Sequence, residues 1–196
     1  MQAQEINSRD SYAFRPDLQE SLSHSHIEPS KLSTFQRILL TTDGTVTEIL
    51  EAYLFEKIHV VKLSEQIVEV TEDVPTLDLK VGEQVIERKI LLQGKISRNN
   101  WIYAESLIVP DRLDELYRER LLKTQEPIGR LWLEHRVENF KEIVDTAREV
   151  AGDLAGYFKL KKEDRLLSRT YRVFSTRKPV MMITEKFPET YFLNKI

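Results

Sequence analysis

At 196 residues, 41% of them hydrophobic and 31% charged, the chain is long enough for one medium-sized domain with a substantial core. A formal net charge of −3 offers no concentrated basic surface for phosphate, and the lack of cysteine excludes disulfides, thiolate nucleophiles and Cys-ligated zinc. No apolar run reaches the roughly 18–20 residues that span a bilayer, and the N-terminus lacks a signal-peptide pattern. The expectation is a cytoplasmic, monomeric protein with no nucleic-acid partner and no membrane span.

Residues 1–32 are polar with little periodicity and read as an N-terminal extension carrying one short helix, ahead of a domain over 33–196. Ser33 and Gln36 have capping-box spacing in front of "FQRILL", which predicts a helix. Thr45 and Glu48 repeat that spacing, and Ile49, Leu50, Tyr53 and Leu54 extend it into a helix over about 46–55. Strands follow. "KIHVVKLSEQIVEV" is rich in β-branched residues and long enough to bend midway, while "EQVIERKILLQG" and "NNWIYAESLIV" form a hairpin across "KISR". Beyond Pro110, "DRLDELYRERLLK" predicts a helix capped by Asp111 with Leu113, Leu116 and Leu121 inward, and "TQEPIGR" reads as a loop. In "VENFKEIVDTAREVAGDL", Val137, Phe140, Ile143, Val144 and Ala147 have helical spacing. "RLLSRTYRVF" and "PVMMITEKF" flank "STRK" as a second hairpin. Strands next to strands, with helices set apart, give an α+β class: a single antiparallel sheet with helices packed on it.

Two strands carry a charge on their apolar face. Read with period two, Ile86, Arg88, Ile90 and Leu92 share a side, as do Met181, Ile183, Glu185 and Phe187. Burying an isolated charge costs several kcal/mol, so each group needs a partner or a polar ligand. A structural Arg88–Glu185 ion pair is one solution, and a strand end open to solvent is another. Arg169 shares a face with Leu167, Tyr171 and Val173 and rivals Arg88 for any role. With Thr45 as the flanking residue, the Val46 N–H becomes an orphan donor at a helix start, a place that attracts anions or simply faces water. His24 and His26, at i and i+2, are close enough to touch one metal but read as solvated loop residues. His59 sits in a strand, His135 has no partner at ligand spacing, and no phosphate loop, HExxH or GxSxG occurs. Neither a metal nor an organic cofactor is expected.

"LLTTDGTVTEILEA", "ERKILL", "EPIGRL" and "PVMMITEKFP", in this order, resemble the chorismate pyruvate-lyase (4-hydroxybenzoate synthase) family, in its cyanobacterial and mycobacterial branch, over roughly residues 33–192. The resemblance implies that Arg88 and Glu185 are the catalytic side chains and bind the ligand, with Val46 and Ile128 adding main-chain contacts. It implies a small ligand enclosed beneath flap-like segments, and a strand within "ENFKEIVDTARE", opposed to the helical spacing there. The implied reaction converts chorismate to 4-hydroxybenzoate and pyruvate without a cofactor, feeding plastoquinone or ubiquinone head-group synthesis. Arg88 suits the ring carboxylate and Glu185 the ring hydroxyl, acting either in proton transfer or in positioning. A second class stays open: a non-catalytic aromatic-acid effector domain of a regulator, whose DNA-binding domain residues 1–32 are too short to supply.

Overall fold

The alternating segments become six strands in the computed structural model, which describes residues 15–123, 127–134 and 138–193. They are β1 (Ile58–Glu69), β2 (Gln84–Gly94), β3 (Asn100–Ile108), β4 (Phe140–Val150), β5 (Arg165–Ser175) and β6 (Lys178–Pro188). One sheet of order β1-β2-β3-β6-β5-β4 results, antiparallel at every junction. It consists of two meanders, β1–β3 and β4–β6, joined where Tyr103–Ile108 of β3 runs against Met181–Lys186 of β6. Both expected hairpins form. The expected bend in β1 is a register shift between Lys62 and Ser64.

One segment departs from its helical spacing: residues 140–150 form β4. The spacing misleads because the register against β5 shifts between Ile143 and Asp145. Before that shift Lys141 and Ile143 point inward, and after it Thr146 does. Val144, the extra residue, and Phe140 face outward, so a bulged strand imitates a period near 3.6. Val137 lies outside the described residues.

Five helices cover one face: α1 (Pro16–His24), α2 (Thr34–Thr41), α3 (Val46–Leu54), α4 (Glu115–Lys123) and α5 (Ile128–Glu134). Leu39, Leu40, Leu50 and Leu131 pack there with Ile86, Leu92 and Ile102 in the main core. The short α6 (Ala155–Phe158) covers Leu91, Tyr103 and Leu166 on the opposite face. At α2 the capping box is complete: Gln36 N–H donates to Ser33 Oγ at 3.1 Å and Ser33 N–H to Gln36 Oε1 at 3.0 Å. At α3 Thr45 occupies the cap position without a side-chain bond. Asp114, rather than Asp111, caps α4 by accepting from the Leu116 and Tyr117 amides at 3.0 and 3.3 Å. Leu121 is buried, Leu113 packs at the core's edge, and Leu116 faces solvent. Part of the expected "TQEPIGR" loop is instead the first turn of α5. No helix among the described residues is long and apolar enough to cross a membrane.

Within the N-terminal segment, α1 lies against β4. Leu18, Leu22 and Ile27 enter the main core. The Asp17 carboxylate accepts from the Ile143 amide at 3.0 Å, and Ser21 Oγ donates to Thr146 Oγ1 at 2.9 Å. Leu18 is 2% exposed. Leu18→Ala should therefore destabilise the protein by about 2–4 kcal/mol in urea unfolding; a loss below about 0.5 kcal/mol would mean that α1 is not part of the cooperative unit.

Candidate active site

Four charged side chains are buried among the described residues: Arg88 at 1% exposure, Lys141 at 7%, Arg169 at 1% and Glu185 at 7%. They come from β2, β4, β5 and β6, and all four point from the sheet into the layer beneath the helices. Three cations thus share an apolar layer with one carboxylate.

Glu185 is opposite Arg169 in the β5–β6 register, and its oxygens are both engaged. Arg169 Nε donates to Oε2 at 2.9 Å and Tyr171 Oη to Oε1 at 3.0 Å. Arg169 also donates through Nη1 to the Thr42 carbonyl at 2.7 Å, while its Nη2 has no partner. The ion pair anticipated between Arg88 and Glu185 is therefore replaced by Arg169–Glu185. Burial, reinforced by Glu185, holds the Tyr171 phenol well above the ordinary tyrosine range.

Arg88 has no such settlement. None of its three guanidinium nitrogens has a hydrogen-bond partner. Glu65, its neighbour across the β1–β2 register, comes within 3.5 Å of Nε, but its other oxygen is held by Lys62 at 2.6 Å. Burial draws the Arg88 pKa down, with Glu65 opposing, and a guanidinium nevertheless keeps its charge at neutral pH. Register places Arg88 level with Ser106 and Ile183, one inward residue short of Glu185. Two strand spacings and two residues of rise separate the Cα atoms of Arg88 and Glu185 by roughly 12 Å.

Lys141 is the member that the sequence did not single out, because its segment carries helical spacing. Its Nζ donates to the Gly44 carbonyl at 2.8 Å and stands over the Trp132 and Tyr171 rings at 5.7 and 5.6 Å. Burial pushes its pKa down to about 8, with Glu185 and Asp43 opposing and Arg169 adding to the effect.

Val46, Arg88, Ile128, Lys141, Tyr171 and Glu185 all line a cavity of about 60 Å³. Val46 is the first residue of α3, so its N–H has no intrahelical acceptor. Ile128 opens α5. A Cβ at Gly129 would sit 2.6 Å from Thr45 Cγ2, so only glycine lets α5 begin this close to the start of α3. A larger hollow of about 780 Å³ near Phe140 and Phe174 is open to solvent and lacks these buried charges. His24 and His26 are exposed, His135 lies outside the described residues, and no metal-holding cluster occurs among the described residues.

The family model described as chorismate pyruvate-lyase Rv2949c-like matches residues 40–193. The chain belongs to this family. The chorismate pyruvate-lyase of Mycobacterium leprae is 37% identical over 175 residues, covering 86% of this chain and 80% of that protein. Its counterpart from Mycobacterium tuberculosis H37Rv is 32% identical over 173 residues, covering 84% and 85%. Among solved structures, the effector domain of PhnF from Mycobacterium smegmatis aligns with a TM-score of 0.57 at 13% identity, covering 74% of this chain and 88% of that one. The C-terminal domain of the histidine utilization repressor from Pseudomonas syringae aligns with a TM-score of 0.52 at 13% identity, covering 71% and 96%. At such identities the likeness is one of fold.

The buried ammonium of Lys141 has a measurable cost. Its folded-state pKa of about 8 lies below the ordinary 10.5, so the penalty is complete below pH 8 and fades as pH rises toward 10.5. Lys141→Met should stabilise the unliganded protein by about 1–3 kcal/mol at pH 7, and the gain should shrink toward zero near pH 10.5. Urea unfolding at both pH values checks this; a gain independent of pH would refute it.

Proposed function

We propose that the protein is a chorismate pyruvate-lyase that removes the enolpyruvyl group from chorismate, giving 4-hydroxybenzoate and pyruvate, and that the product serves quinone head-group synthesis. The observation that carries this reading is the excess of buried cations around one cavity, in a chain of this family. Chorismate is a dianion whose two carboxylates need such a surplus. Arg88 pairs with the ring carboxylate through two parallel N–H donors, and the Val46 or Ile128 amide adds a further donor. Glu185, at the other end, accepts from the ring hydroxyl. The cavity is smaller than a substituted six-carbon ring, so the site must widen to admit the substrate.

In the reaction the C–O bond to the ring breaks, and the hydrogen on the hydroxyl-bearing ring carbon passes to the enolpyruvyl methylene. That methylene becomes the methyl of pyruvate while the ring becomes aromatic. We favour a positioning role for the protein. Arg169 and Tyr171 already engage both Glu185 oxygens, which suits a fixed acceptor better than a mobile base.

The deciding assay is incubation of the purified protein with chorismate, in which 4-hydroxybenzoate and pyruvate should appear in equal amounts. Binding of 4-hydroxybenzoate with chorismate left intact would favour the effector-domain reading, which the fold likeness to regulator domains supports. Arg88→Ala should lower kcat/KM at least 1000-fold (about 4 kcal/mol) with an unchanged circular dichroism spectrum. Near-normal turnover would remove Arg88 from its role. Glu185→Gln should cost no more than about tenfold in kcat if the group positions the ring, whereas a loss of three or more orders of magnitude would assign it proton transfer.

A further inference from the structure

We propose that Lys141 forms the subsite for the second carboxylate of the substrate, the one on the enolpyruvyl arm, and so separates the dianionic substrate from the monoanionic product. The inference rests on the lyase reading and adds to it the group that meets the arm. In chorismate the ether oxygen and the hydroxyl occupy neighbouring ring carbons. With the ring carboxylate at Arg88 and the hydroxyl at Glu185, the arm must emerge beside Glu185, where its carboxylate needs a cation that can reach the cavity.

Two cations lie beside Glu185. Arg169 is bonded through Nε to Glu185 and through Nη1 to the Thr42 carbonyl, and although its Nη2 has no partner it does not line the cavity. Lys141 lines the cavity itself. Its ammonium spends one donor on the Gly44 carbonyl and otherwise meets the Trp132 and Tyr171 rings. An ammonium has three donors, so two can turn to a carboxylate without breaking the Gly44 bond. The rings screen that end from water, which strengthens the attraction. The groups facing Lys141 are Glu185 from β6, Arg169 and Tyr171 from β5, and the exposed Asp43 between α2 and α3. Arg15, ahead of α1, reaches its main-chain carbonyl and is paired with Asp17.

The test compares two non-reacting ligands by calorimetry in the wild type, Lys141→Met and Lys141→Arg: 4-hydroxybenzoate, and 3-(1-carboxyethoxy)-4-hydroxybenzoate as a saturated mimic of the dianion. Lys141→Met should weaken the dianion at least 30-fold and 4-hydroxybenzoate less than threefold, and Lys141→Arg should recover at least tenfold of the loss. Wild-type affinity for the dianion should fall about tenfold per pH unit above pH 8, as the ammonium loses its proton, and Lys141→Arg should flatten that limb. Equal weakening of both ligands would make Lys141 a general support of the site, and unchanged dianion binding would remove it; either result overturns the proposal. Because neither ligand reacts, these outcomes hold whether or not the wild type converts chorismate, and the turnover assay tests the lyase reading separately.

Discussion

Arg88 carries its charge into an apolar layer where the nearest carboxylate, Glu65, is already engaged by Lys62 and meets it at 3.5 Å. A guanidinium cannot relieve this by losing its proton, as a lysine can, so the desolvation cost stays in the folded state. Ile86, Ile90 and Leu92 on the same strand, with the helices above them, must supply the burial that offsets it. Stability is surrendered at the place where an anion can return it. Much of the architecture serves that exchange, since five helices on one face keep water from solvating the charge first.

The far end of the site is arranged in the opposite way. There the carboxylate has two donors, and one of them, Arg169, is anchored in turn to the carbonyl of Thr42 in front of α3. Such a chain of bonds fixes the Glu185 oxygens in direction as well as in position. One end is therefore unsatisfied and attracts, and the other is satisfied and orients. That combination suits a reaction in which the bonds that change belong entirely to the substrate.

Much of this could be read from alternation. Strands β2, β3, β5 and β6, the inward faces of Arg88, Arg169 and Glu185, and the capping box at Ser33 all follow from residue type and spacing. Lys141 did not, because the register shift after Ile143 puts Phe140, Ile143, Val144 and Ala147 at helical intervals although the backbone is extended. A strand reading of "FKEI" would have set Lys141 beside Ile143 on the inner face. The Val46 amide was marked by the helix start at Thr45, whereas a main-chain role for Ile128 leaves no side-chain signature and came from the family likeness alone. The Arg169–Glu185 pairing lies across the β5–β6 hairpin and turns on a register shift between Val173 and Phe174. The placement of β3 between Arg88 and Glu185 is instead a matter of strand order, a long-range property that a local pattern does not carry.

The junction of the two meanders has a further consequence. Arg88 belongs to one meander and Glu185 to the other, and the six residue pairs between β3 and β6 hold the two together. That seam acts as a fixed gauge. Sliding it by one residue would turn an entire inner face outward, so small adjustments of its length are not available. The cover is different, for α3 and α5 bear on the space between the anchors without setting their separation. The breadth of the space between the anchors can thus change through the helices alone, while the spacing of Arg88 and Glu185 stays locked into the sheet.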